Sequence, residues 1–262
     1  MLKRHRKKYD QHFLGGILLG FSFLGIAAFL SGGVLNFFSI SAFFVVIGGT
    51  LAAAIVQYPA AVFESAGKEI KSMLYAKSEH SLEERYGYLQ KLSRLVKEKG
   101  LVVLDRESQR CSDSFLRLAL ELSSDRTSPK QIQRIMSHEI ASSYQRGMQV
   151  VSLLETMASI APAMGLIGTV IGLINMFQTI TDISSVSTGL SVALLTTLYG
   201  AVVANLIFAP LAGKLSEKEE ERARIKRITL EGILSLSQEE SPILFEQRLR
   251  SFRMTELTGT TN

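Results

Sequence analysis

Three threonines are the residues of this sequence whose type and position could do chemistry inside an apolar environment. Thr169 lies in one long apolar stretch, and Thr196 and Thr197 lie in the next. A hydroxyl group can offer its oxygen to a cation and can donate or accept a hydrogen bond. These hydroxyls could therefore line a hydrated path for an ion. They could equally bond carbonyl groups of their own helices and serve only close packing.

Small residues recur three or four positions apart around these threonines, so they share a helix face with them. The residues concerned are Gly165, Gly168, Gly172, Ala193 and Ala201. Gly168 and Gly172 form a G-x-x-x-G pair, a pattern that lets membrane helices approach closely. We expect all five to be helix-packing residues.

Two prolines interrupt the same stretches, Pro162 before Thr169 and Pro210 after Thr197. Prolines are tolerated in membrane helices, where many of them only cause a kink. Both lie near the ends of their stretches that border charged sequence, and a hinge there could couple the membrane part to the charged part. The residues alone are compatible with a kink or a hinge.

The distribution of charged residues along the sequence locates the elements that carry these residues. From residue 11 to residue 63 there is no Asp, Glu, Lys or Arg, and between Glu155 and Lys214 the only one is Asp182. A membrane span needs about 20 apolar residues, and each region is about twice that long with a polar or glycine-rich break in its middle. Only helices satisfy their own backbone in lipid at this length. The sequence therefore predicts an all-α membrane protein with four spanning helices in two hairpins.

The distribution of basic residues predicts the orientation, because Lys and Arg concentrate on the cytoplasmic side. They flank the spans and are absent from both hairpin turns. We expect a basic cytoplasmic N-terminus (1–12), a hairpin (13–58), a large helical cytoplasmic domain (59–150), a second hairpin (151–213) and a cytoplasmic C-terminal helix and tail (214–262). One helix is expected to continue from Pro129 into the third span. A cleaved signal peptide is the alternative for the first apolar stretch. Two features argue against it: an equally apolar second span follows closely, and there is no clear A-x-A cleavage site after the first stretch.

Composition excludes several other classes. The net charge is +5 and the mean hydropathy +0.21, but the basic residues are mixed with acidic ones or crowd the span ends, which argues against nucleic acid as a partner. Cys111 is the only cysteine and the four histidines are scattered, so we expect neither an intrachain disulfide nor a metal site. The spans hold no catalytic pair, so we expect no enzyme and no cofactor.

Ion transport through lipid usually requires an ionisable residue at depth. The predicted spans contain none, since Asp182 falls in the turn of the second hairpin. Either this chain moves no ions, or a partner supplies the carboxylate.

Several motifs then point to a family. Residues 158–173, residues 191–200 and residues 210–212 resemble the third and fourth helices of the A subunit of bacterial flagellar stators, the MotA/PomA family. Residues 46–53 with Pro59 are similar to its second helix. The resemblance covers nearly the whole chain. The related TolQ and ExbB proteins typically have three spans, so a TolQ/ExbB-like or non-flagellar energiser of an envelope process is the alternative.

The resemblance implies a multi-pass protein of the bacterial inner membrane that works as a torque-generating stator subunit. Five such chains would surround two B subunits, each with a single span, a peptidoglycan-binding domain and one aspartate that carries H⁺ or Na⁺. Hydroxyls at Thr169 and at Thr196 or Thr197 would face that aspartate, and Pro162 and Pro210 would couple its occupancy to movement. The choice between H⁺ and Na⁺ stays open.

The resemblance also implies contact with the switch ring of the rotor. The family carries a basic residue three positions before a glycine and an acidic one five positions after it. Counted from Gly100, these are Lys97 and Asp105, where many members have Arg and Glu. Without the resemblance, both are charges on a solvated helical surface.

Overall fold

A computed structural model describes residues 11–74, 82–178 and 183–258, and every regular element in those ranges is helical. The basic residues of the N-terminal segment and Asp182 of the predicted turn lie outside them. The chain divides into two compact units. The first comprises residues 1–77 and 147–216, and the second comprises residues 78–146 and 217–262.

The α-helices are numbered in chain order. They are α1 (Gln11–Leu30), α2 (Ile40–Phe43), α3 (Gly49–Gln57), α4 (Ala60–Leu74), α5 (Leu82–Lys99), α6 (Val103–Arg110), α7 (Ser114–Ser124), α8 (Pro129–Gln178), α9 (Ile183–Val202), α10 (Ala209–Ser237) and α11 (Pro242–Thr258). A 3-10 turn covers Val34–Phe37, and π-helical turns cover Phe44–Gly48 and Val203–Phe208. The predicted helix from Pro129 into the third span is confirmed by α8.

Within the described ranges, four helical segments are long and apolar enough to cross a membrane. They are Phe13–Leu30, Val34–Gln57, Pro129–Gln178 and Val186–Ser237. The last two continue beyond any apolar span, since they are 50 and 52 residues long and a span needs about 20. The predicted fold class, an all-α protein with four spanning helices, is confirmed.

Local chemistry explains where the first hairpin turns. Gly32 and Gly33 have φ angles of 116° and 111°, a region that glycine enters without steric cost. The side chain of Ser39 then accepts a hydrogen bond from the N–H of Ala42 and caps the helix that returns.

A proline accounts for the irregular turn in the fourth span. Pro210 has no N–H and its ring clashes with the carbonyl four residues earlier in a regular α-helix. The π-helical turn Val203–Phe208 ends just before it, so the wider turn accommodates this position within a continuous helix. Leu206 of this turn packs on α1, where a Cβ on Gly20 would lie 3.2 Å from its Cδ2.

The second unit has its own apolar core, formed by α5, α6, α7, part of α8, part of α10 and α11. Its largest fully buried side chains are Leu89, Leu92, Leu104, Leu120, Ile132, Met136, Ile228, Ile233, Phe245 and Leu249. The last two belong to α11, a separate helix that the sequence analysis did not distinguish from the preceding one. This core holds the connection between α5 and α6 in place.

Candidate functional site

Three glycines of α8 lie directly against α9. A Cβ on Gly165 would lie 2.8 Å from the Thr196 carbonyl oxygen, and one on Gly168 would lie 2.5 Å from Thr196 Cγ2. A Cβ on Gly172 would lie 2.8 Å from the backbone nitrogen of Ala193. Each distance is shorter than any real carbon contact, so only glycine permits this separation of the third and fourth spans.

The close approach brings two hydroxyls together. Thr169 Oγ1 lies 2.6 Å from Thr197 Oγ1, 3.0 Å from the carbonyl oxygen of Gly165 and 3.3 Å from that of Ala193. A hydroxyl has one proton. When Thr169 donates its proton to a helix carbonyl, Thr197 must donate to Thr169, and the Thr197 oxygen keeps its lone pairs available. Thr197 is exposed in the single chain and Thr169 is half-buried.

Thr196 has a different environment, although it is adjacent in sequence. Its side chain is fully buried, packs on Gly168, and donates a hydrogen bond of 2.8 Å to the carbonyl of Ala193 in its own helix. Of the three threonines, the structure therefore brings Thr169 and Thr197 together and puts Thr196 in the helix contact.

The two predicted packing alanines differ in burial. Ala193 is buried against Gly172. Ala201 is exposed, and its carbonyl accepts a hydrogen bond of 2.9 Å from the side chain of Asn205. Ala204 is the buried small residue at that level.

The two prolines occupy different contexts. Pro162 lies inside α8 without ending it. The facing residue is Gly200, where a Cβ would lie 2.7 Å from the carbonyl oxygen of Ala161 and 3.2 Å from Pro162 Cα. Pro210 lies in the first turn of α10, directly after the π-helical turn. Pro162 thus adjoins a close helix contact, and Pro210 adjoins an irregular turn.

Lys97 and Asp105 lie in the second unit, one on each side of a tight connection. Lys97 is in the last turn of α5 and Asp105 in the first turn of α6, and both are exposed. Gly100 between them has a φ of 73°, and its N–H donates to the Val96 carbonyl at 2.8 Å. Glycine at this position ends α5 and allows the chain to reverse toward α6.

Tyr199 is a residue to which the sequence analysis gave no role. Its hydroxyl donates to the Phe37 carbonyl at 2.6 Å and accepts from the N–H of Ser39 at 2.9 Å. It thereby joins α9 to the end of the first hairpin's turn. The signal was available, because a phenol in an apolar span needs a hydrogen-bond partner, but the partner lies 160 residues away in sequence.

The second unit also contains an ion pair that the sequence analysis did not predict. Arg85 is buried and pairs with Asp113, which in addition caps α7 by accepting from the N–H groups of Phe115 and Leu116. Burial by itself raises the pKa of Asp113, but the charge and hydrogen bond of Arg85 and the two N–H groups outweigh it, so the pKa is lowered. The pair fixes the start of α7 against α5.

A metal site would need several His, Cys, Asp or Glu side chains at one place in the described ranges. No three His, Cys, Asp or Glu side chains come together there. The polar groups that approach each other in the described part of the second hairpin are hydroxyls, amides and backbone carbonyls. Their chemistry suits hydrogen bonding and weak, reversible contact with a cation.

Four apolar helices of the described ranges are able to cross a membrane, and glycine contacts between the third and fourth bring two hydroxyls together. These features define a multi-span membrane protein. Comparison with known proteins gives its family. Residues 107–227 match the model of the MotA/TolQ/ExbB proton channel family. Motility protein A of Treponema phagedenis is 31% identical over 89% of this chain and 90% of its own. The uncharacterized protein YtxD of Bacillus subtilis is 31% identical over 95% of this chain and 93% of its own.

A solved structure of C. jejuni MotAB has the same fold, with a TM-score of 0.85, 22% identity, and coverage of 93% of this chain and 95% of that one. The chain belongs to the MotA/TolQ/ExbB proton channel family, in which it is a stator A subunit of the flagellar motor. The resemblance inferred from the sequence is confirmed.

Proposed function

We propose that ions pass the hydroxyl pair of Thr169 and Thr197 on their way through the membrane. H⁺ or Na⁺ would move between this chain and a B-type subunit, and its flow would rotate a ring of five such chains around two B subunits. The observation that carries the proposal is the 2.6 Å contact of two hydroxyls on the accessible side of the contact between α8 and α9. Thr197 presents an oxygen there that its own chain leaves exposed.

A partner's carboxylate completes this site. The described parts of the spans contain no Asp, Glu, Lys or Arg between Glu155 and Lys214, and an ion needs a charged group at depth. A single-span B subunit with one aspartate, packed on the exposed side of Thr197, would supply it. The Thr197 oxygen could then accept a hydrogen bond from the protonated carboxyl, or contact a sodium ion bound to the carboxylate.

Movement would be transmitted through the helices that carry both prolines. Pro162 weakens α8 within about one turn of Gly165, and Pro210 follows the π-helical turn of the fourth span. Backbone without its regular hydrogen bond bends at lower cost than a regular helix. When the charge beside the hydroxyl pair changes, the two helices would therefore bend at these two positions.

The second unit would face the cytoplasm with both chain termini, as the positive-inside rule predicts. In that orientation Lys97 and Asp105 would contact the rotor's switch ring. Their exposed positions beside a rigid turn support this role, because charged groups on a fixed scaffold steer and register a partner.

The test of this proposal is ion flux in liposomes, measured for the chain alone and for the chain reconstituted with its B subunit. The account predicts flux for the complex and none for the chain alone, since the chain lacks the ion-carrying carboxylate. Gradient-driven flux of H⁺ or Na⁺ through the purified chain alone would contradict it.

A further inference from the structure

An apolar side chain stands at the tip of the connection between α5 and α6. Val102 is 77% exposed, which is the largest exposure of any large apolar side chain in the described part of the second unit. Its neighbours Leu101 and Val103 are both partly buried and pack against the core of that unit. The two neighbours therefore anchor the connection, and Val102 points away from the core.

The backbone around Val102 is held by hydrogen bonds. The N–H of Leu104 donates to the Leu101 carbonyl at 2.9 Å, and the N–H of Val103 donates to the Gly100 carbonyl at 3.4 Å. Leu104 is fully buried. A side chain on such an ordered backbone loses little conformational freedom when it binds a partner.

Val102 contributes little to the stability of its own chain. It directly precedes α6, and its side chain makes no capping hydrogen bond. Ser, Thr, Asp and Asn are the preferred residues at such a position, and valine is among the least favoured. Single exposed apolar residues are common on protein surfaces, but this one lacks both burial and a capping role. A polar residue would suit the isolated chain better, which points to contact with a partner.

Val102 also lies between the two charges that the proposed function assigns to the rotor contact. Its φ of −58° and ψ of −24° are helical, and Asp105 follows three positions later, so the two side chains lie on the same side of this turn. Lys97 lies before the connection, in the last turn of α5. An apolar centre flanked by charged groups is the usual composition of a protein–protein contact with a central hot spot and a polar rim.

We propose that Val102 is the apolar anchor of the contact with the rotor's switch ring. The rotor surface would present an apolar side chain to Val102, an acidic group to Lys97 and a basic group to Asp105. One valine and two exposed ion pairs form a small contact. Small contacts are typical of transient encounters, whereas a stable dimer of this chain would bury about 1,600 Å² or more. A contact that is made and broken as the ring turns must be transient. This inference rests on the proposed rotor contact of Lys97 and Asp105.

Val102→Thr tests the anchor, because threonine has nearly the shape of valine and replaces one methyl group by a hydroxyl. The variant is studied in motile cells that contain the complete complex with its B subunit. We expect torque at full load to fall by at least about half, since the buried methyl group is lost from the contact. Val102→Ile keeps an apolar side chain and should retain most of the torque.

Two further readings separate a lost contact from a folding defect. The Tm of the detergent-solubilised Val102→Thr complex should not fall, because the side chain is exposed and uncapped. Ion flux through the same complex in liposomes should not change, because no rotor is present there. The matched control is Ile243→Thr in α11, where the isoleucine is 73% exposed. This control should leave torque unchanged.

Photo-crosslinking identifies the partner. A benzophenone side chain is introduced at position 102, or at position 243 as the control, in cells that contain both stator and rotor. We expect an adduct with the switch-ring protein from position 102 and none from position 243. An adduct with only a second copy of this chain, or no adduct, would overturn the assignment to the rotor.

Parent-like torque in Val102→Thr would overturn the anchor, as would an equal loss in Ile243→Thr or a loss accompanied by a lower Tm. If Lys97→Glu and Asp105→Lys impaired torque in the same cells, only this inference would then fail. If those two reversals also left torque unchanged, the rotor contact of the proposed function would fail, and this inference with it.

Discussion

The hydroxyl oxygens of Thr169 and Thr197 lie 2.6 Å apart, although one belongs to α8 and the other to α9. This contact exists because Gly165 and Gly168 allow the two helices to approach until backbone meets side chain. The glycines thus determine the position of the hydroxyls. Packing and ion handling, which the sequence presents as alternatives, would under the proposed function be two properties of one helix contact.

Replacement of a contact glycine should separate the helices. In Gly168→Ala the new Cβ would lie 2.5 Å from Thr196 Cγ2, and overpacking of this kind typically costs about 1–3 kcal/mol. We expect a lower Tm of the detergent-solubilised complex and a smaller assembled fraction. Gly25→Ala is the control, because a Cβ there meets nothing within 4 Å and alanine favours the helix by up to about 1 kcal/mol. Equal effects of the two substitutions would contradict the packing account.

Much of the fold was predictable from charge and length. The charge-free run from residue 11 to residue 63 and the single acid between Glu155 and Lys214 define four spans, since lipid excludes charged side chains. The long helix from Pro129 also followed from periodicity. The π-helical turn Val203–Phe208 did not, because a proline signals an irregular helix without specifying its form.

The sequence could not decide between Thr196 and Thr197. Neighbouring residues on an α-helix point about 100° apart, so which of them faces the helix contact depends on the rotation of α9 about its axis. That rotation is set by tertiary packing against Gly168 and Gly172. The link from Tyr199 to Phe37 was unpredictable for a similar reason, since only the folded hairpins bring the two residues together.

Charge reversal in the second unit should impair torque more than charge removal. Lys97→Glu and Asp105→Lys would turn attraction to the rotor into repulsion, whereas the alanine variants only remove a contact that is screened within about 8 Å at physiological ionic strength. We expect each reversal to lower torque at full load by more than about half and each alanine substitution to have a mild effect.

The controls for these reversals are Lys130→Glu and Asp125→Lys, which make the same charge changes at other exposed positions of the second unit. They should leave torque nearly unchanged, and an opposite reversal on the rotor should restore part of the loss in Lys97→Glu. Unchanged torque in both Lys97→Glu and Asp105→Lys would remove these residues from the rotor contact.

The ion pair of Arg85 and Asp113 should make stability depend on pH. Because the pKa of Asp113 is lower in the folded chain, the pair stabilises the fold above the unfolded-state pKa of about 3.9, and this contribution is lost as the pH falls through the folded-state value. Asp113→Asn leaves Arg85 buried with its charge unpaired, at a cost of about 3 kcal/mol at pH 7.

Thermal unfolding of the detergent-solubilised protein at a series of pH values measures this effect. The difference in Tm between the parent and Asp113→Asn should be largest near pH 7 and should begin to shrink below about pH 4. It should disappear once the pH is below the lowered folded-state pKa, where the parent's carboxyl is neutral too. Asp125→Asn makes the same change at an exposed site and should have little effect. A Tm difference independent of pH would show that the charge of Asp113 is not what stabilises the start of α7.

The most direct test of the ion route compares gradient-driven flux in complexes that carry Thr197→Val or Thr196→Val, reconstituted with the B subunit. Valine is nearly isosteric with threonine, so both complexes should assemble. A polar group at depth that loses its partner costs about 1–3 kcal/mol, so flux should fall about tenfold in Thr197→Val. Thr196→Val should retain flux, because the Thr196 hydroxyl is buried and bonds only its own helix. Normal flux through an assembled Thr197→Val complex, or an equal loss in both variants, would contradict the account.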